Sequence, residues 1–123
     1  MLVGLGIDLV RISRVRGELA RDARGLESTL LTDRERTSSL GLEAGAALAA
    51  RIAAKEAVLK ALGCGIVDLR SWREVEVTGS VGSLAVELHD RARANLCALG
   101  GRRVLLASCL AGDWAMVGAV LEA

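Results

Sequence analysis

The hydrophobic positions in the first part of the chain change from a period of two to a helical period. Over residues 1–10 apolar residues alternate with glycines, which predicts a short strand with Asp8 near its end. Residues 11–23 then carry apolar side chains at helical spacing, and Gly25 is expected to end that helix. The chain is thus predicted to open with a strand, a carboxylate and a helix.

The strongest helix signal runs from residue 44 to residue 62 and ends at Gly63-Cys64-Gly65. Its bulky apolar residues form one stripe, and its alanines form a second, flat side that another backbone could approach closely. A shorter helix is predicted before it, because Thr32 can cap a helix start and Glu35 can close a capping box. The capping box alone would account for a glutamate at position 35.

The second half of the chain alternates as β-hairpins do. Strands are predicted over residues 72–77, 84–88, 104–109 and 114–121, and a helix over residues 89–99. This order predicts an α+β fold in which an antiparallel sheet packs against the long helix. With 123 residues and neither a repeat nor a linker, residues 1–123 are predicted to form a single domain.

Composition narrows the possible functions. Sixteen basic and fifteen acidic residues give a formal charge of +1, and two tryptophans are the only large aromatic residues, so a general nucleic-acid binder is not expected. No apolar run reaches the ~20 residues of a membrane span, and three cysteines without CxxC spacing fit a reducing compartment. We therefore expect a cytoplasmic protein that binds no membrane. So short a chain, without Phe or Tyr in its core, is expected to oligomerise, with the alanine side of its long helix free to contact another subunit.

Two carboxylates are candidates for chemistry because their neighbours in sequence are apolar, Asp8 in the first strand and Glu56 in the long helix. If they converge, they could hold Mg²⁺ with a substrate phosphate, and Lys60 lies one turn beyond Glu56. The residues alone leave a simpler alternative open, in which Glu56 and Lys60 form a surface ion pair and Asp8 caps the following helix. Gly63 and Gly65 could likewise bind a phosphate through backbone N–H groups, or merely end the helix.

Three motifs in a fixed order resemble those of one enzyme family. They are Gly6-Ile7-Asp8-Leu9-Val10, then Leu31-Thr32-Asp33-Arg34-Glu35, then Ala50-Arg51-Ile52-Ala53-Ala54-Lys55-Glu56-Ala57 followed by Lys60-Ala61-Leu62-Gly63-Cys64-Gly65-Ile66. In length, motif order and spacing the chain is similar to the holo-[acyl-carrier-protein] synthases, which are the small, single-domain 4′-phosphopantetheinyl transferases. The resemblance covers essentially the whole chain, and the lysine–glutamate helix motif is fairly specific.

The resemblance implies a fold and a reaction. The fold would be that of the 4′-phosphopantetheinyl transferases, assembled as a homotrimer with its active sites in clefts between subunits. The reaction would be the Mg²⁺-dependent transfer of 4′-phosphopantetheine from coenzyme A to a serine of an apo acyl carrier protein, with release of adenosine 3′,5′-bisphosphate. The carrier protein would belong to fatty acid or polyketide biosynthesis, and the sequence does not distinguish the two.

The resemblance also implies roles for individual residues at the reacting centre. Asp8 and Glu56 match metal-binding carboxylates, and Glu56 is a reasonable general base, directly or through a water. Lys60 matches the lysine near the pyrophosphate. Contacts to coenzyme A are expected from four residues: Arg51, Gly63, Gly65 and Cys109.

The predicted helix that follows the first strand is basic, with five arginines against two acidic residues over residues 11–24. In the resembling family this region docks an acidic carrier protein. Arg11, Arg14 and Arg21 are expected along one side of the helix, where they would steer that partner. A solvated basic surface is the alternative.

The chain departs from the family pattern near its C-terminus. The family usually has Ser-x-Ser-His there, whereas Ala107-Ser108-Cys109-Leu110 places Cys109 at the histidine and Leu110 beside it. The hairpin Gly-x-Pro reads Gly82-Ser83-Leu84, and Ile52 replaces a Phe. Cys109 matters most, because a thiol cannot supply the hydrogen bonds and protonation of an imidazole at the coenzyme A site. Two alternatives therefore stay open. One is a diverged paralogue that binds carrier protein or a pantetheine-type ligand but has lost or changed the transfer activity, and the other is a purely structural protein.

Overall fold

The fold is α+β, as the sequence predicts. A computed structural model describes all 123 residues. In chain order the elements are β1 (Leu2–Arg11), α1 (Ile12–Leu30), α2 (Asp33–Arg36), α3 (Ala44–Leu62), β2 (Val75–Ser80), β3 (Ser83–Leu88), α4 (Asp90–Ala98), β4 (Arg103–Ala111) and β5 (Trp114–Glu122). None of the helices has the length and hydropathy needed to cross a lipid bilayer.

Helix α3 lies at the centre of the core because both of its apolar sides are covered. It packs against β1 and β5 on one side and against α1 on another. Glu43 caps its first turn, and Gly63 ends it in the left-handed conformation with φ 71°. Its alanines are buried inside the subunit, with Ala53 and Ala57 at 0% exposure. The expectation that the alanine side is free for contact with another subunit is therefore wrong.

Strands β1, β5 and β4, in that order, form the antiparallel sheet that covers α3. Two glycines let β1 lie directly on the helix backbone. A Cβ at Gly6 would stand 2.0 Å from the carbonyl oxygen of Ala57. A Cβ at Gly4 would stand 2.3 Å from the carbonyl oxygen of Ala61. This close approach brings Asp8, two residues beyond Gly6, to the side of α3.

The outward face of the same sheet is apolar and exposed. Leu5, Ile7 and Leu9 on β1 are 72%, 59% and 54% exposed, and Leu105 on β4 is 44% exposed. These residues alternate with the positions that face α3, so they form one continuous surface. Exposed apolar patches of this kind mark interaction surfaces. If the chain oligomerises, this face is the surface available for it.

Two boundaries differ from the predicted ones. The break expected at Gly25 in the first helix falls at Asp22, whose backbone is non-helical and whose carboxylate accepts the N–H of Gly25 at 3.0 Å. The strand expected from residue 72 begins at Val75 instead, because Ser71 and Glu74 form a capping box around a 3₁₀ turn. Short polar side chains satisfy local N–H groups in both cases, and this competes with the predicted element.

Candidate active site

Asp8, Glu56 and Lys60 come together at one side of α3, as the family resemblance implies. Lys60 Nζ donates hydrogen bonds to the Asp8 carboxylate at 2.8 Å and to the Ile7 carbonyl at 3.1 Å. Asp8 and Glu56 line the same open cleft, which has a volume of about 970 Å³. Strand β1 supplies one carboxylate and α3 supplies the other together with the lysine.

The simpler alternative for these residues is wrong on both counts. Lys60 pairs with Asp8 and not with Glu56. Asp8 does not cap α1. Instead, Asp113 performs that role from the β4–β5 turn, where its carboxylate accepts the Ser13 N–H at 2.9 Å and also the Ser13 hydroxyl.

The group formed by Asp8, Glu56 and Lys60 carries two negative charges against one positive charge. Burial, and after it the nearby charge of Asp8, raises the pKa of Glu56, and Lys60 opposes this only in part. The hydrogen bond with Asp8 raises the pKa of Lys60. Two carboxylates that share one lysine provide hard oxygen donors with a residual negative charge. This donor set fits Mg²⁺, which prefers carboxylate, phosphate and water oxygens.

A second charged group on α3 is buried in the interior. Lys55 and Glu35 are both 0% exposed, and Lys55 Nζ donates to Glu35 Oε1 at 2.9 Å. Lys55 also donates to the Trp72 and Val75 carbonyls, which uses all three of its donors. The capping box of Thr32 and Glu35 is confirmed, but Glu35 is also an interior counter-ion. The signal that could have indicated this was a lysine placed next to the apolar stripe of α3, where it needs a partner.

Arg51 lies near this interior group and away from the cleft. It is 3% exposed, its Nε donates to the Val77 carbonyl at 3.0 Å, and it stands 3.7 Å from the Glu35 carboxylate. Its Nη2 has no hydrogen-bond partner. Arg51 lines a separate cavity of about 280 Å³ between α1, α2 and the start of α3. A buried guanidinium nitrogen without a partner at a cavity is suited to an anion.

The other three residues expected to contact coenzyme A also lie outside the cleft. The Gly63 N–H donates to the Lys60 carbonyl at 3.1 Å, and the Gly65 N–H donates to the Asp68 carboxylate at 2.8 Å. The Gly63 N–H therefore takes part in ending α3, and the Gly65 N–H takes part in starting the 3₁₀ turn at Ile66–Asp68. Cys109 is exposed on the outward face of β4, where it pairs with Met116 of β5.

The three arginines expected to dock a carrier protein are all exposed, but they do not form one helical row. Arg11 is the last residue of β1, where it pairs with Trp114, so the prediction of a helical Arg11 is wrong. Arg14 and Arg21 lie in α1. Arg21 pairs with Glu18, whereas Arg11 and Arg14 line the cleft.

One further carboxylate group lies on the β2–β3 hairpin. Ligand atoms of Glu76, Glu87 and His89 lie within 4.8 Å of one another. Arg34 already stands 3.2 Å from Glu87 and 3.6 Å from Glu76, so its guanidinium compensates one of their two charges. This group contains neither Asp8 nor Glu56, and it is distinct from the predicted metal site.

Sequence and structure comparisons define the class of protein. Residues 4–109 match the model of the 4′-phosphopantetheinyl transferase superfamily, and the chain belongs to that superfamily. The holo-[acyl-carrier-protein] synthase of Chlamydia trachomatis serovar L2 is 36% identical over 122 residues, which cover 98% of this chain and 100% of that protein.

Solved structures of proteins with the same name share the fold. The holo-[acyl-carrier-protein] synthase of Neisseria meningitidis superposes with a TM-score of 0.83 at 26% identity, and the match covers 100% of both chains. The Bacillus anthracis holo-(acyl-carrier-protein) synthase, solved in complex with CoA (3′,5′-ADP), superposes with a TM-score of 0.77 at 28% identity, over 99% of this chain and 97% of that one. The predicted family and fold are thereby confirmed.

Proposed function

We propose that this chain is a holo-[acyl-carrier-protein] synthase. It transfers 4′-phosphopantetheine from coenzyme A to a serine hydroxyl of an apo acyl carrier protein and releases adenosine 3′,5′-bisphosphate. One observation carries this proposal, namely that Asp8 and Glu56 line one open cleft, with Lys60 hydrogen-bonded to Asp8, in a chain from this superfamily. The Bacillus anthracis relative, solved with CoA (3′,5′-ADP), supports coenzyme A as the substrate.

The reaction replaces one phosphorus–oxygen bond by another. The serine oxygen bonds to the phosphorus that carries pantetheine, and the bond from that phosphorus to the bridging oxygen breaks. The bridging oxygen leaves with the nucleotide. The serine proton needs an acceptor, and the raised pKa of Glu56 suits it to that role. Lys60 brings an ammonium group to the cleft, where it can neutralise phosphate oxygens during the transfer.

Asp8 and Glu56 are the residues that would hold Mg²⁺ in this enzyme. The ion, when bound, supplies positive charge that offsets the charge developing on pyrophosphate oxygens. The excess of carboxylate charge in the group of Asp8, Glu56 and Lys60 supports this assignment. The hydrogen bond from Lys60 holds the Asp8 carboxylate toward α3, so the two carboxylates face the same space.

A homotrimer with active sites between subunits would account for the residues that lie outside the cleft. The exposed apolar face of β1 and β4 gives a second copy a surface to cover. Cys109 lies on that face, so it could reach coenzyme A held at a neighbouring subunit. Arg51 would contribute a phosphate contact through its unpartnered Nη2. Sedimentation at three times the chain mass would support this assembly, and a stable monomer would contradict it.

Gly63 and Gly65 remain in the proposal as residues near coenzyme A. Their N–H groups already donate within the chain. We therefore expect them to shape the end of α3 beside the substrate without binding a phosphate directly. The enzyme is proposed to act in the cytoplasm on carrier proteins of fatty acid or polyketide synthesis, with the acidic carrier docking against Arg11, Arg14 and Arg21.

The alternative is a diverged paralogue that keeps the fold and a carrier or pantetheine site but has lost or changed the transfer activity. The absence of an imidazole at Cys109 favours it. Mass spectrometry of an apo carrier protein incubated with this protein, coenzyme A and Mg²⁺ separates the two proposals. The gain of one phosphopantetheine supports the synthase, with a carrier whose acceptor serine is alanine as the control. Carrier binding without mass gain supports the paralogue.

A further inference from the structure

Trp114 is a large side chain in the wall of the cleft that the proposed reaction does not use. It is 40% exposed, and it lines the same cleft as Asp8 and Glu56. Its ring stacks with the Arg11 guanidinium, which lies 4.8 Å from the ring centroid. The two residues stand directly opposite each other in the β1–β5 ladder, so the sheet itself brings them together.

The turn that precedes Trp114 fixes the backbone on the other side of Arg11. The Asp113 carbonyl accepts the Ile12 N–H at 2.7 Å. The Asp113 carboxylate accepts the Ser13 N–H and hydroxyl. Residue 11 is therefore held by strand pairing before it and by the Asp113 contacts after it. The Trp114 ring adds a restraint on the Arg11 side chain.

The stacking leaves the charge of Arg11 available to a partner. Arg16 and Arg21 on the neighbouring helix are neutralised by Glu43 and Glu18, respectively. Arg11 forms no such pair: the nearby Asp113 carboxylate, whose pKa Ser13 and, to a lesser extent, Arg11 lower, is hydrogen-bonded to Ser13 instead. An aromatic ring holds a guanidinium by its flat face and leaves the N–H groups at the edge free to donate. Trp114 thus orders a cation at the cleft without neutralising it.

We propose that Trp114 is a positioning residue for docking of the carrier protein. By holding Arg11 beside the cleft, it presents the guanidinium to a carboxylate on the acidic surface of the incoming carrier. This inference rests on the proposed function, which supplies the carrier protein as the partner. An arginine that is already ordered loses less side-chain entropy when the partner binds.

A double-mutant cycle on binding tests the inference without requiring turnover. The probe is a fluorescently labelled apo acyl carrier protein whose acceptor serine is alanine, and the readout is Kd from anisotropy. Trp114→Leu and Arg11→Ala should each raise Kd about three- to tenfold. The double variant should bind the carrier no more weakly than Arg11→Ala alone, because the ring acts through the arginine.

Trp114→Phe keeps a ring and should retain most of the affinity. Arg93→Ala, which removes an exposed arginine of α4, should leave Kd unchanged.

The outcomes are distinguishable. Additive effects of the two substitutions in the double variant would overturn the positioning role. A Kd that Trp114→Leu leaves unchanged would overturn it too, as would a parent protein that does not bind the carrier. If Trp114→Leu does not fold, Trp114→Gln takes its place in the cycle. The mass-gain assay on the parent protein judges the proposed function separately. Coupling between Trp114 and Arg11 without mass gain would refute the transferase and keep the docking role.

Discussion

Two groups of charged residues lie on the same helix and differ in how completely their charges are compensated. In the interior, Lys55 uses all three donors, on Glu35 and two backbone carbonyls. In the cleft, Lys60 pairs with Asp8, while Glu56 forms no ion pair and its pKa is raised. A compensated group can only hold the fold together. A group with charge left over in an open cleft can bind a ligand.

Helix geometry explains why neighbouring residues ended in such different places. Lys55 and Lys60 are five residues apart, which corresponds to a rotation of about 140° around the helix axis. One lysine therefore points into the core and the other toward the cleft. Lys55 therefore belongs to the interior group, whereas its neighbour Glu56 lines the cleft.

The largest expected effect is on catalysis in the cleft. Glu56→Gln should reduce kcat/KM for carrier modification on the order of 10³-fold, equivalent to several kcal/mol, because a carboxylate at the reacting phosphate is lost. The melting temperature should stay the same or rise, since a half-buried charge beside Asp8 is removed. Modification kinetics and thermal unfolding measure the two effects. Transfer at the parent rate would remove Glu56 from the active site.

The second effect concerns the interior group, and it is on stability. Lys55→Met leaves the Glu35 charge buried without its main partner and should reduce the free energy of unfolding by about 3–5 kcal/mol. Lys60→Met is the matched control. Its ion pair with Asp8 is partly exposed, so that variant should lose less than about 1 kcal/mol. Urea denaturation gives both values. Equal losses of unfolding free energy in the two variants would contradict the difference between the interior group and the cleft group.

The smallest effect distinguishes charges at the edge of the cleft. Arg14→Glu should raise the KM for carrier protein about fivefold, or about 1 kcal/mol, because Arg14 has no acidic partner in the chain. Arg21→Glu should have a smaller effect, since Glu18 already offsets part of the Arg21 charge. Added salt should reduce the difference between the two variants. Steady-state kinetics at two salt concentrations measure it, and identical KM values would refute the ranking.

The sequence predicted the order of elements because hydrophobic period, capping residues and glycine stops are local signals. It also predicted the contact of Asp8 with the α3 residues, through their apolar context and the family resemblance. The position of Lys55 next to the apolar stripe of α3 indicates burial, but the sequence could not identify Glu35 as its partner, because 20 residues separate the two. Nor could it identify the Val77 N–H as a donor to Glu35, since 42 residues separate the two.

In the first strand, the alternation of apolar residues and glycines correctly indicates β-structure, but the buried and exposed faces are the reverse of those that hydrophobicity alone would assign. The glycines face the helix, and Leu5, Ile7 and Leu9 face outward. A strand read by hydrophobicity alone would bury the leucines in the subunit. The exposed apolar surface that a second copy could cover therefore lies on β1, and not on the alanines of α3, which are already covered.

The contact of β1 with α3 also limits how this protein can be redesigned. Glycines inside strands are usual targets for stabilisation, because a side chain restricts the unfolded chain and favours extended backbone. At Gly6 such an edit would place a methyl group 2.0 Å from the Ala57 carbonyl oxygen. The strand would have to move outward and carry Asp8 away from Lys60. A sequence optimised for local propensity would therefore gain a better strand and lose the contact between Asp8 and Lys60 on which the proposed activity depends. Gly4 and Gly6 should consequently be kept in any engineering of this protein.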